Sequence, residues 1–325
     1  MVDREVRAKT RYDEGGAMRI EAPANAAIME AARGLKEGKL VVIPTETVYG
    51  LACNALDSSA VKAVYETKGR PSDNPLIVHI SKIEDLQLVA RDCGDLCKAL
   101  AERFWPGPLT LVLKKNKSVP DETTAGLDTI AVRMPSHPVA LEIIEKAGCP
   151  IAAPSANPFM GLSPTHAKNV DKQIGDKALM VIDGGPCEIG LESTVLDLSG
   201  DHPQILRPGG IIRSRIQAVI GMPLGHVPPP SVRRSPGSYE RHYAPNSKVV
   251  LVDELQADQQ GLTLQSPKNR QQIEMPQDPQ LYGAELYAAL KSLDNDSAEE
   301  IFVQMPPHTP EWEAVLDRLE KASAD

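Results

Sequence analysis

No window of this sequence approaches 18 unbroken apolar residues, so no membrane-spanning helix is expected. The opening MVDREVRAKTRYDEGG is charged and lacks the apolar centre of a secretory signal, which fits a cytoplasmic protein. Cysteine is scarce. The five, Cys53, Cys93, Cys97, Cys149 and Cys187, are odd in number and show no paired spacing. Cys93 and Cys97 stand four apart on an expected helix, with no second Cys or His pair to complete a zinc set, so free thiols in a reducing compartment are expected. Basic charge is not in excess either. The net charge is −9, with 15 acidic against 6 basic residues from Ser247 to Asp325 and 29 of each sign before it. The chain as a whole offers no basic face of the kind that displaces counterions from nucleic acid, though a local basic cleft in the neutral part stays open. There is no G-x-x-x-x-G-K-[ST], no G-x-G-x-x-G after a strand, no H-E-x-x-H and no G-x-S-x-G. P-loop, dinucleotide, zinc-protease and serine-hydrolase chemistries therefore lack support.

What is present is an ordinary globular composition, 42% hydrophobic and 24% charged, long enough for two domains, with 28 prolines that call for rigid loops. Residues 1–17 read as a flexible tail. Helical periodicity runs from Ala26 to Glu37, ended by Gly38, and again over Ser58–Glu66, Glu84–Phe104, Pro138–Ala147 and Ser214–Ile220. Short apolar runs at Leu40–Ile43, Leu76–Ile80, Leu109–Lys114, Thr129–Arg133, Ile151–Ala153, Leu179–Asp183, Ser193–Asp197 and Gln204–Leu206 read as strands. The alternation implies a mixed α/β domain over 18–222. The segment PTETVYGLACNA reads as small, polar and turn-rich. From His226 to Pro245, HVPPPSVRRSPGSYERHYAP cannot form a helix or a central strand, so 223–246 reads as an extended linker. Residues 247–325 read as a small acidic α/β domain, with strands at Lys248–Val252 and Glu300–Val303 and helices at Tyr282–Leu293 and Glu311–Ala322.

Polar groups cluster where strands end, the usual place for ligands in α/β sheets. They are Thr45 and Thr47 in PTETVYG, Lys68, Arg70 and Asn74 in KGRPSDNP, and His79. Further along come Arg133 in AVRMPS, Ser155 and Asn157 in APSAN, Ser163 in GLSPT, Ser193 in LEST and Arg207 in LRPGG. Arginine, lysine, serine and asparagine suit a substrate rich in phosphate and carboxylate oxygens. Each has a plainer reading. Lys68 and Arg70 are a solvated pair unless the two prolines lock them into an anion clamp. Arg133 ends an apolar strand half-buried and needs a partner, which is either a ligand or a structural Asp. Ser155 and Asn157 also serve turns, Ser193 is an ordinary strand-end hydroxyl, and a lone His79 is more often packed than catalytic.

PTETVYGL, K-G-R-P-x-x-N-P-L, R-x-P, PSAN and LESTV, in this order and spacing, resemble the YrdC-like family. With the linker ending in RHYAP and a C-terminal part closing on E-W-x-x-x-x-D-R-L, the chain is similar to the two-domain long form of that family, the threonylcarbamoyl-AMP synthases, from Ala26 to Ala322. The resemblance implies a twisted mixed sheet with helices around a deep basic cleft. It implies an enzyme joining ATP, L-threonine and bicarbonate or carbon dioxide into threonylcarbamoyl-AMP with release of pyrophosphate. A separate threonylcarbamoyl transferase would then act on tRNA. It places ATP on Lys68, Arg70, Asn74, the backbone near Thr129, Ser155, Asn157, Ser163, Arg207 and Tyr243. It places L-threonine on Thr47 (or its neighbour Thr45), His79, Arg133, Ala153 and Ser193. Lys68 and Arg70, with Mg²⁺ on the phosphates, would carry catalysis by screening two anionic partners. The linker is a candidate lid. Two other readings stand beside this one. An RNA-binding module of the same fold is disfavoured by the charge balance. A carbamoyl-phosphate enzyme is disfavoured by the absence of any C-x-x-C pair.

Overall fold

The computed structural model describes residues 18–222, 224, 239–294 and 299–324. The expected tail at 1–17 and most of the expected linker lie outside them. In chain order the first sheet is built from β1 (Ile20–Glu21), β2 (Val41–Ile43), β3 (Gly50–Asn54), β4 (Ile77–His79), β5 (Ala90–Arg91), β6 (Leu109–Lys115), β7 (Thr129–Arg133), β8 (Ile151–Ala152), β9 (Val181–Ile182), β10 (Thr194–Asp197) and β11 (Gln204–Arg207). Their spatial order is β1-β9-β2-β3-β8-β4-β7-β6-β10-β11, with β5 against the end of β6. Pairing is mixed. For example, β4 runs parallel to β7 with His79 opposite Arg133, and β3 runs antiparallel to β8.

Helix α1 (Asn25–Lys36) buries Ala27, Ile28, Ala31, Ala32 and Leu35, one face at three- and four-residue spacing, against α5 (Pro138–Ala147). Helix α2 (Ser58–Lys68) is capped by Asp57, whose side chain accepts from the Ser59 and Ala60 amides. It stops at Gly69, which has the left-handed φ of 60° that glycine tolerates best. That stop turns the chain sharply between Lys68 and Arg70.

The expected single helix at Glu84–Phe104 is two helices, α3 (Leu86–Val89) and α4 (Asp95–Phe104), with β5 between them. Asp92 at φ 59° breaks the pattern, and Cys93 falls in the break rather than on a helix with Cys97. All five cysteines are free thiols. The turn-rich reading of PTETVYGLACNA also needs correction, because Gly50–Asn54 is a buried strand near the centre of the sheet. Two short helices complete this part, α6 (Lys172–Gly175) and α7 (Arg213–Ile220).

The second sheet is wholly parallel, ordered β12 (Lys248–Val252), β15 (Glu300–Gln304), β13 (Gly261–Thr263), β14 (Gln272–Glu274). Helices α8 (Pro279–Leu293) and α9 (Glu313–Ser323) share its core, which includes Leu262, Tyr282, Leu286, Ile301, Val303, Trp312 and Leu319. The same apolar cluster takes in Val48 and Leu191 of the first sheet's loops and Tyr243, so one core spans both parts. Gly190 lies at that seam. A Cβ there would sit 2.5 Å from the backbone of Ala284 in α8. No described helix is long and apolar enough to cross a membrane.

Candidate active site

The turn after α2 delivers two cations into the interior. Lys68 and Arg70 are 4% and 8% exposed, which rules out the solvated-pair reading. Lys68 Nζ donates to the carbonyls of Ser155 and Asn157. Arg70 donates to the Asn74 carbonyl at 3.0 Å, the Asn74 Oδ1 at 2.5 Å and the Pro75 carbonyl at 2.9 Å. The prolines and Asn74 thus fold the loop around the guanidinium. Burial, with Arg70 nearby, holds the Lys68 ammonium well below its usual range, and burial pushes Arg70 down to about 10. Among the described residues neither cation has a carboxylate within ion-pair distance. Such desolvation is a large cost unless an anion offsets it.

A second cluster forms around Arg133. Arg133 is buried, not half-buried. Its Nη1 donates to Thr47 Oγ1 at 2.9 Å and its Nε to the Gly107 carbonyl at 3.3 Å. Its Nη2 is 2.6 Å from a carboxylate oxygen of Glu46, an ion pair by distance that lacks hydrogen-bond alignment. The partner acid is thus Glu46 and not an aspartate. Thr45 is occupied differently. Its hydroxyl donates to the Val48 carbonyl and closes the turn by accepting from the Thr47 and Val48 amides, which leaves Thr47 facing Arg133. His79 is buried beside Arg133, and burial lowers its pKa to about 3, with the Arg133 charge adding to the shift. Ala153 follows β8 and closes against Gly50, where an added Cβ would lie 3.1 Å from the Ala153 Cβ.

Ser193 and Arg207 join the clusters. Ser193 Oγ is 2.7 Å from Thr110 Oγ1, and Arg207 donates twice to the Ser193 carbonyl, at 3.1 and 2.9 Å. Arg207 Nη1 reaches the Tyr243 hydroxyl at 3.4 Å. Tyr243 is buried, with a left-handed φ of 58°, and Ala244 donates to the Met160 carbonyl, so the end of the linker lies along the 159–163 loop. Asn157 shapes that loop by donating to the Pro158 and Gly161 carbonyls. Ser163 donates to Glu192 Oε1 at 2.7 Å. Asn74 Nδ2, Asn157 Oδ1 and His79 Nδ1 are buried with no hydrogen-bond partner among the described residues, a rarity in folded proteins. Thr129 stands apart. It opens β7, about 13 Å along the strand from Arg133 at the usual rise per residue.

A polar cavity of about 600 Å³ opens beside Asn157 and Ser163, rimmed by Lys168, Lys172 and Arg241. Another of about 490 Å³, between Phe104–Pro108 and the C-terminal helices, contains none of the predicted residues. No group of three His, Cys, Asp or Glu side chains gathers as a metal cage among the described residues. Sequence reasoning missed Glu46, Glu192, Tyr287 and Arg318. The two acids sit inside quoted motifs: in TET, Glu46 stands between two buried hydroxyls, which is itself a signal, and in LEST, Glu192 stands between Leu191 and Ser193.

Residues 33–209 match the Sua5, YciO and YrdC family, described as telomere recombination. Residues 211–324 match the family described as threonylcarbamoyl-AMP synthase, C-terminal domain. The chain belongs to the threonylcarbamoyl-AMP synthase family. It is 41% identical to the threonylcarbamoyl-AMP synthase of Bacillus subtilis over 326 residues, 91% of this chain and 92% of that one. The synthase of Pyrococcus abyssi is 50% identical over 227 residues, 69% of this chain and 67% of the relative. In three dimensions the chain resembles P. abyssi Sua5 complexed with L-threonine, with a TM-score of 0.87 and 40% identity over 94% of this chain and 96% of that one. The two family matches divide the chain near residue 210, the first covering 33–209 and the second 211–324.

Proposed function

We propose that this chain makes L-threonylcarbamoyladenylate from L-threonine, bicarbonate or carbon dioxide, and ATP, releasing pyrophosphate. The observation that carries the reading is the contrast between the two buried clusters. Among the described residues Lys68 and Arg70 have no acid within ion-pair distance, whereas Arg133 is matched by Glu46. The first set suits a polyanion. The second suits a zwitterion, with the guanidinium taking a carboxylate and the glutamate taking an ammonium. ATP and an amino acid fit that division. The threonine complex of the P. abyssi relative and the synthase names of the relatives support it over an RNA-binding module.

The chemistry follows from charge. The neutral amine of threonine forms a bond to carbon dioxide, giving a carbamate and a proton; from bicarbonate the products are the carbamate and water, with no proton released. A carbamate oxygen then bonds to the α-phosphorus of ATP, and the bond to the β-phosphate bridging oxygen breaks, releasing pyrophosphate. Both partners are anionic. Lys68 and Arg70, already stripped of water, screen the phosphates at no further desolvation cost. Asn74 and Asn157 offer their unpartnered polar atoms to the nucleotide, together with Ser155, Ser163, Arg207, Tyr243 and the backbone near Thr129. Thr47, His79, Ala153 and Ser193 enclose the amino acid with Arg133. Mg²⁺ enters with ATP as part of the substrate, on phosphate oxygens. A threonylcarbamoyl transferase acting on tRNA consumes the product.

The test is pyrophosphate release with each co-substrate omitted in turn. Release that needs all three supports the reading. Release indifferent to threonine would assign the fold a different substrate, and salt-sensitive RNA binding without release would restore the non-catalytic alternative.

A further inference from the structure

We propose that Arg318 and Tyr287 of the C-terminal domain are positioning residues for the nucleotide, acting through Glu192 to fix the Ser163 hydroxyl as a hydrogen-bond acceptor for the nucleoside of ATP. The inference deepens the reading above and rests on Ser163 contacting ATP.

Glu192 lies in the loop before β10 and is buried. Its Oε1 accepts from Ser163 Oγ at 2.7 Å. Its Oε2 accepts from Arg318 Nε at 2.8 Å and from the Tyr287 hydroxyl at 2.9 Å. Burial by itself would raise this carboxyl, but the Arg318 and Arg207 charges and the hydrogen bonds from Arg318 and Ser163 outweigh it and hold it at about 2. The carboxylate is therefore ionised and accepts only. A hydroxyl has one hydrogen. With that hydrogen committed to Glu192, Ser163 Oγ keeps only lone pairs for a ligand. It cannot donate to a phosphate oxygen, which is itself an acceptor. It can receive a hydrogen bond from the adenine amino group or a ribose hydroxyl.

Arg318 does more than hold the acid. It is 1% exposed, among the most enclosed large side chains of the described residues. Its Nη2 donates to the Pro208 carbonyl at 3.0 Å, next to Arg207. Its guanidinium carbon lies 4.8 Å from the centre of the Tyr243 ring, and that ring stacks on Tyr287 at 6.0 Å. One side chain from the last helix thus touches three segments, which carry Glu192, Arg207 and Tyr243, and it reaches Ser163 through Glu192. Through these contacts the C-terminal domain orders the nucleotide half of the site, whereas it meets the Arg133 half through the apolar packing at Val48 and Leu191.

The experiment measures ATP and L-threonine binding by calorimetry on the full chain, for the natural sequence, Tyr287→Phe and Arg318→Lys. The same titrations use 2′-deoxy-ATP, 3′-deoxy-ATP and purine riboside triphosphate, which lacks the amino group. Both variants are expected to weaken ATP about five- to twentyfold while L-threonine stays within about twofold. The natural sequence should discriminate against one of the three analogues, naming the donor, and Tyr287→Phe should reduce that discrimination. If Arg318→Lys does not fold, Tyr287→Phe, which keeps its ring on Tyr243, decides alone. Equal losses for both ligands, unchanged ATP binding, or a natural protein that penalises no analogue would overturn the proposal. Binding is read directly, so an absence of threonine-dependent pyrophosphate release would count against the synthase reading and not against this one.

Discussion

Lys68 shows how far a single side chain can be taken from sequence. The turn chemistry of KGRPSDNP argued for a locked loop, and the buried Lys68 and Arg70 follow from it. What the local sequence could not display is that the loop wraps its own arginine, or that Lys68 reaches carbonyls nearly ninety residues away. Replacing Lys68 by Met removes a costly buried cation but strands two carbonyls. These changes oppose each other, so the thermal midpoint should move by only a few degrees while kcat/KM for ATP falls at least about a hundredfold. A calorimetric scan beside a rate measurement checks both. Arg133 behaves differently because Glu46 depends on it. Arg133→Ala leaves a buried carboxylate unpaired, a loss of roughly 3–5 kcal/mol by the usual cost of breaking such a pair. Arg133→Lys keeps the charge and loses the fork, so it should remain folded and weaken L-threonine at least about tenfold in a binding titration. The Arg133 partner was invisible in sequence because Glu46 lies 87 positions upstream and is joined only by folding.

At the scale of elements, long periodic stretches were legible and short ones were not. Helices α1, α2 and α5 and strands β6 and β7 stand within two residues of their expected bounds. Strand β3 escaped because GLACN is too small and too weakly β-forming to read as a central strand. It is one because Gly50 lets the chain pass close to Ala153, a demand set by neighbours. Strands β13 and β14, three residues each, gave too little pattern. The loop from Arg207 to Gly210 carries a similar demand. A Cβ on Gly209 would fall 2.3 Å from the Glu192 carbonyl and 2.5 Å from the backbone of Ser193 and Thr194. Gly209→Ala must push the Ser193 segment aside. It should cost about 1–3 kcal/mol in denaturant unfolding and impair L-threonine binding with no polar group removed.

Across the whole molecule, two buried histidines link stability to pH. Burial, helped by nearby arginines, holds His79 and His242 at about 3, against an ordinary value near 6.5. Both stay neutral in the fold while the unfolded chain takes up protons. Stability is therefore full above about pH 6.5 and is lost as pH falls toward 3, with a slope of about 1.4 kcal/mol per pH unit for each histidine. Unfolding free energies between pH 7 and 4 should show this slope, and His242→Gln should remove one proton's share. The two-part organisation was readable from the proline-rich break and the change in charge. The common core was not, since Val48, Leu191 and Tyr243 join the cluster of Leu286 only through tertiary packing.

The central claim is that Lys68 and Arg70, with no carboxylate within ion-pair distance among the described residues, and an arginine matched by Glu46 hold ATP and threonine for one condensation. The most direct measurement supplies carbon-13 bicarbonate with ATP and L-threonine and follows the nucleotide product by mass spectrometry. The account predicts an AMP conjugate carrying threonine and one labelled carbon, formed in step with pyrophosphate and lost in Lys68→Met. Pyrophosphate release with an unlabelled product, or without threonine in it, would contradict the account.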